Sequence, residues 1–270
     1  MILYHGSRDI VEYPEIRKAQ YNKDFYFGFY CTNYPEQAKR WATRFGKRGY
    51  INQYEYNPNP ELKYLVFETM TEEWLDFIVA CRQGIPHQYD IVEGPMADDT
   101  VYNYIQNFID GKISRAAFWE AREYMGTKNN NNLFFTCSLI EYIGRRIKRT
   151  RREVTDLLGQ EEIERIYEYA DIFHCEPIAK IADEFIKENK MTEGSFDNEK
   201  DCNYTVPDYW SIGEVYERLI EDSYSDTDIL EGIWEIYHSW IDAHISDYNT
   251  DFYYQSRDYI AACYKAGEII

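Results

Sequence analysis

The chain has 270 residues, 44% hydrophobic and 29% charged, which is enough apolar material to fold and more length than one ordinary core needs, so two modules are expected. The net charge is −19 and uneven: residues 1–128 hold 15 Lys+Arg against 18 Asp+Glu, residues 129–270 hold 14 against 30, and from residue 153 onward 8 bases face 29 acids. Long-range attraction of nucleic acid to the second half is thereby excluded, and a basic partner or simple solubility is the expected use of its acidic surface.

Six cysteines (Cys31, Cys81, Cys137, Cys175, Cys202, Cys263) include no close pair and no C-x-x-C, which argues against a disulfide framework. No apolar run approaches the roughly 18 residues of a membrane span, and Met1–Gly6 lacks a basic n-region and an apolar h-region. A cytoplasmic protein with no membrane partner is expected. Aromatic residues make up 17%, with 27 Tyr, so tyrosines with buried rings and hydrogen-bonded hydroxyls should be common.

In chain order, Ile2–His5 reads as a short strand ended by Gly6-Ser7. The aromatic run Phe25–Thr32, interrupted by Gly28, reads as a strand that something approaches closely. Pro35–Arg44 is helical. Ile51–Tyr56 and Leu62–Glu68 are strands separated by the turn Asn57-Pro58-Asn59-Pro60. Thr71, followed by Glu72 and Glu73, opens a helix to about Arg82. Tyr89–Val92 is a strand stopped by Gly94-Pro95; helices then cover Ala97 to about Ile109 and about Ser114–Tyr124.

The tract Asn129–Asn132 marks the expected boundary, giving modules at 1–128 and 129–270. Beyond it the helical period dominates. Four stripes stand out: Ile163/Ile166/Tyr167/Ala170, Ile178/Ile181/Ala182/Phe185/Ile186, Ile212/Val215/Tyr216/Leu219/Ile220 and Ile229/Ile233/Ile236/Tyr237/Trp240/Ile241. Asp226 or Asp228 is placed to cap the last, and the loop Met191–Pro207 divides this half in two. The fold class expected is α+β: a mixed or antiparallel β core with helices, followed by an all-helical module.

Four motif blocks carry a resemblance. His5-Gly6-Ser7, then Gly28-Phe29-Tyr30-x-Thr32, resembles the first two motifs of the His-Tyr-Glu class of ADP-ribosyltransferases. With Gln37-Ala38-x-x-Trp41-Ala42 and Tyr89-Asp90-Ile91-Val92-x-Gly94-Pro95-x-Ala97-Asp98-Asp99, the stretch 2–125 is similar to domain of unknown function 3990, a bacterial family placed in that superfamily. The resemblance implies an ADP-ribosyltransferase-like fold and NAD as substrate, with no metal. His5 would bind the adenosine-side ribose, Gly6 and Ser7 would line the site, Tyr30 would stack on the nicotinamide and Gly28 would let the strand approach the ligand.

A third motif residue, an acid or amide on a late strand, is implied to contact the nicotinamide ribose. Asn132, in Asn130-Asn131-Asn132-Leu133-Phe134-Phe135, would stand there, one methylene shorter than Gln and unable to act as a base. Asp98 and Asp99 are the charged alternatives, although a helix N-terminus favours such a pair by itself. Residues 129–270 resemble small helical bacterial proteins and, distantly, domain of unknown function 3791, through Leu157-Leu158-Gly159 and Ile166–His174. The same residues 132–135 then open a helical module, which conflicts with a transferase strand.

The implied function is a mono-ADP-ribosyltransferase that cleaves NAD and modifies a protein or nucleic-acid acceptor. The helical module would restrain or direct it by intramolecular or partner contact, as in a toxin-like or phage-defence protein. The alternative is a fold without turnover that senses NAD or a partner. The basic run Arg145, Arg146, Lys148, Arg149, Arg151 and Arg152 is a candidate phosphate contact at a helix end. His174-Cys175, His238 and His244 lack zinc-site spacing.

Overall fold

The computed structural model describes residues 1–18, 21–46, 48–97, 105, 107–124 and 130–270, without the side chains of 120–124. Helix and strand are mixed, and the chain is α+β. It divides into two compact units: Met1–Thr127 with Asp171–Pro177, and Lys128–Ala170 with Ile178–Ile270. A seven-residue segment from the helical half thus belongs to the first unit, which a boundary drawn at one point along the chain does not anticipate.

In the first unit, β1 (Ile2–Ser7) pairs antiparallel with β2 (Tyr50–Glu55), with His5 opposite Asn52 and Gly6 opposite Ile51. Helix α1 (Pro35–Thr43) lies on one face of β1. Pro35 suits its first turn, where the missing N–H is no loss. The contact is close because Gly6 permits it: a Cβ there would stand 2.0 Å from the Ala38 carbonyl oxygen and 2.8 Å from the Ala42 nitrogen.

Strands β3 (Tyr64–Val66) and β4 (Ile91–Glu93) form a separate parallel pair joined through α2 (Glu72–Arg82). The Thr71 hydroxyl accepts the Trp74 N–H and caps α2. Trp74, Leu75 and Ile78 of this helix pack with Ala97, Ile105 and Phe118 of α3 (Arg115–Tyr124) as the unit's core.

The second unit is helical among the described residues: α4 (Asn131–Ile147), α5 (Arg151–Glu168), α6 (Ala170–Phe173, which begins here and passes into the first unit), α7 (Ile178–Glu188), α8 (Tyr209–Ser223), α9 (Ile229–Tyr237), α10 (Ile241–Ser246) and α11 (Arg257–Ala266). Thr150 and Glu153 form a reciprocal capping box at the start of α5. That helix is interrupted at Gly159 (φ 73°), a backbone conformation glycine adopts without strain. The fourth apolar stripe is split: α9 stops at Tyr237, where His238 turns back to donate from Nδ1 to the Trp234 carbonyl of its own helix (2.7 Å) and its Nε2 meets Asp156 (2.9 Å). Asp228 holds the cap position of α9, but Ser225 and Thr227 hydroxyls engage its carboxylate.

Among the described residues no helix is long and apolar enough to cross a membrane.

Candidate functional site

Antiparallel pairing alternates which residues turn their main-chain groups toward a given neighbour. Met1 bonds to Tyr56 on the β2 side, whereas Tyr4 exchanges both main-chain bonds with Thr32 on the other (2.7 and 2.9 Å). By this alternation Gly6 turns its N–H and C=O toward the segment leading to Tyr30, not toward β2. The side chain of His5 lies on the face of β1 opposite α1, where its ring sits 4.3 Å from Phe29, and Phe29 meets Tyr54 edge-on.

The run Phe25–Thr32 is not the expected strand; only Thr32 makes a single β-bridge. The reason is the Tyr30 side chain. Its hydroxyl accepts the Phe25 N–H (3.1 Å) and donates to the Tyr26 carbonyl (2.9 Å), and Tyr26 adopts φ 64°. The segment therefore curls around the phenol instead of extending. Burial pushes the Tyr30 phenol upward, so it stays protonated and keeps donating. Gly28 is exposed, and a Cβ there would make only ordinary contact with the Tyr30 ring at 3.5 Å. No close backbone approach explains this glycine in the structure.

His5 and Tyr30 meet through the main chain: Nδ1 of His5 is 2.7 Å from the Tyr30 carbonyl oxygen. A carbonyl only accepts, so Nδ1 carries the proton. Burial, aided by the charges of Lys23 and Arg44, lowers the imidazole's proton affinity, and a neutral ring leaves Nε2 as an acceptor for a hydroxyl. The strand is steadied from β2, where Asn52 accepts the Val11 N–H (2.8 Å) and donates to the carbonyls of His5 and Asp9 (3.3 Å each). Ser7 accepts the Asp9 N–H (3.2 Å), which is a turn contact.

The Tyr30 ring turns toward Lys23, whose Nζ is 4.8 Å from its centroid and 5.9 Å from that of Trp41. The same ammonium pairs with Glu176 at 3.0 Å, and Glu176 is buried. Glu176 belongs to the segment Asp171–Pro177, which also supplies Asp171, paired by two bonds with Arg40, and Phe173, 5.2 Å from Phe45. Beneath the loop, Asp24 is buried, pairs with Arg82 (2.6 Å) and accepts the Ala97 N–H (2.8 Å).

Sequence reasoning missed Lys23, Asn52 and Glu176. Trp41 was visible only as part of a motif block. Glu176 carries no local signal, because its partner is remote in sequence.

Asn132 is not on a strand. It lies in the first turn of α4, which Asn130 caps by accepting the Leu133 N–H, and it belongs to the second unit. An Asn tract followed by apolar residues at helical spacing favours a capped helix over a strand. Asp98 and Asp99 lie outside the described residues.

The basic run is not an open phosphate patch either. Arg151 is 2% exposed and pairs with Glu141 (2.5 Å). Arg145 pairs with Glu141 and Glu199, and Tyr248 accepts from both arginines (3.0 Å each) while donating to Glu141 (2.7 Å). Arg146 meets Asp183 and Arg149 meets Glu153. Lys148 lies near Glu193 and Asp197, so acids meet five of the six bases of the run, while Arg152 is exposed. No group of three His, Cys, Asp or Glu with metal-holding geometry occurs among the described residues.

The first unit is thus an α+β body in which a strand histidine and a curled aromatic loop share one edge. The chain belongs to the family described as Protein of unknown function (DUF3990), whose model matches residues 1–143 and so runs across the unit boundary into α4. No curated protein and no solved structure matches the chain.

Proposed function

We propose that the first unit binds NAD and is an ADP-ribosyltransferase-like domain, transferring ADP-ribose to a protein or nucleic-acid acceptor. The observation that carries this is the His5–Tyr30 junction. A neutral imidazole presents Nε2 to a ribose hydroxyl, a strand turns the Gly6 main chain toward the loop beside Tyr30, and aromatic faces gather at one edge. Such a site suits a reaction whose leaving group departs readily and whose main demand is holding a bent dinucleotide in place. The helical unit, on its likeness to small helical bacterial proteins, is the restraining or targeting element, as in a toxin-like or phage-defence protein.

Incubating the protein with labelled NAD and a bacterial lysate tests this directly: transfer of label supports it, and absence of both binding and transfer removes it. A second reading, an NAD or partner sensor without turnover, is favoured by the placement of Asn132, the expected third residue, on helix α4 of the second unit and not on a strand. Asn132→Glu, Asp98→Asn and Asp99→Asn assayed together separate the readings. A rise on the order of tenfold in NAD cleavage with Asn132→Glu assigns the third position there. Loss of activity in either Asp variant assigns it to that carboxylate. NAD binding without turnover in the wild type favours the sensor.

A further inference from the structure

The helical unit holds a cleft of about 440 Å³, in the size range of small-molecule sites and separate from the residues given to NAD. It is lined by the start of α5, by the loop at 196–201, and by α10 with the residues that follow it. Four lining residues are acids, Asp197, Asp201, Asp242 and Asp247, against one base, Arg152. Asp242 is the most buried of the four, at 7% exposed. Its Oδ1 accepts from the Tyr216 hydroxyl and lies 3.6 Å from an Arg151 nitrogen. Its Oδ2 meets no donor among the described residues and is open to the cleft. Burial pushes the Asp242 carboxyl upward although Arg151 counters it, as expected of a carboxylate short of positive charge.

The neutral donors of the lining are already used by main-chain carbonyls. Asn198 donates to Ser246 (2.9 Å), Ser239 to Ile236 (2.7 Å), Ser246 to Asp242 (2.6 Å) and Asn249 to Asp201 (3.0 Å). What remains is mostly acceptors, and the Asp201 carboxylate makes no bond among the described residues. A fitting ligand therefore brings donors and positive charge and asks for few donors in return. That disfavours a peptide, whose carbonyls need donors of their own. A single metal ion is not matched either, because no three acids come together in metal-holding geometry among the described residues. Separated carboxylates match separated cations, and Phe196 and Ala243 add apolar surface for a hydrocarbon chain.

We propose that this cleft binds a linear polyamine, with one ammonium group on Asp242 and the others on Asp197, Asp201 and Asp247. The surrounding half of the chain, with 14 bases against 30 acids, draws such a cation in at long range. Arg152 is exposed, has no acid partner among the described residues, and opposes the ligand's charge.

Calorimetry of the full chain with spermidine at physiological salt tests this, and one saturable equivalent per chain is expected. Asp242→Asn should weaken binding about tenfold, and Asp201→Asn, at an exposed acid, about two- to fivefold. Arg152→Gln should tighten it about two- to fivefold, a gain that damage to the fold does not mimic. Glu231→Gln, at an exposed acid of α9 outside the cleft, should change nothing. Absence of saturable binding overturns the site. Equal weakening by Asp201→Asn and Glu231→Gln also overturns it, because it reports only the diffuse charge of the unit. Magnesium that displaces spermidine at equal concentration, or tri-lysine that binds more tightly than spermidine, overturns the polyamine assignment.

Discussion

Gly6→Ala tests how the site is built. The added methyl would lie 2.0 Å from the Ala38 carbonyl oxygen and 2.8 Å from the Ala42 nitrogen, both backbone atoms. Ordinary contact begins near 3.4 Å, so β1 and α1 must separate by about 1.4 Å, and no side chain can rotate away to make room. Overpacking of this kind costs about 1–3 kcal/mol, and with backbone on the far side the upper end is expected. At a urea m-value of about 1–3 kcal/mol/M, the unfolding midpoint of the first unit should fall by about 1 M or more. His5 is the next residue in the strand, so the shift also strains its 2.7 Å bond to the Tyr30 carbonyl. Urea titration followed by circular dichroism reads the midpoint, and calorimetry reads NAD binding on the folded fraction. An unchanged midpoint with lost NAD affinity would refute the packing argument and make Gly6 a ligand-facing glycine alone.

Three further outcomes are expected. His5→Ala should leave the fold intact and weaken NAD binding about two- to tenfold, the worth of one net hydrogen bond, and Tyr30→Ala should weaken it further while loosening residues 25–30; calorimetry with limited proteolysis checks both. Glu141→Gln leaves Arg145 and Arg151 short of counter-charge in a buried cluster, so the helical unit should lose about 3–5 kcal/mol, measured by thermal unfolding. Glu217 is buried, and that burial, with Glu221 and Glu214 nearby, pushes its carboxyl up to about 8. Because the folded value is raised, its stabilising contribution is full at low pH and is lost as pH climbs from the ordinary carboxylate range through about 8; Glu217→Gln should therefore raise the melting temperature at about pH 9 and change it little at about pH 4.5.

The parts of this protein legible in the sequence are those set by neighbours along the chain. The cap at Thr71, the proline opening α1 and the stripes of α7 and α8 are spacings of a few residues, and local backbone physics turns spacing into a helix. The ordered blocks at His5, Gly28–Thr32, Trp41 and Tyr89–Ala97 likewise stand in the chain itself, and the family match covers them.

Where the reading failed, a particular side-chain partner outweighed the preference read from composition. Phe25–Thr32 has the composition of a strand, but the Tyr30 hydroxyl satisfies two of its main-chain groups and bends it. The six bases at 145–152 look like an anion site until the fold brings Glu141, Glu199, Asp183 and Glu153 against four of them. Asn132 was open to a strand or a helix, and the cap at Asn130 with the buried face of α4 resolved it. The Lys23–Glu176 pair shows the limit best. A buried charge needs its opposite within a few ångströms, and which residue supplies it depends on how the chain returns through space, so only the tertiary structure could bring Glu176 to the face of Tyr30.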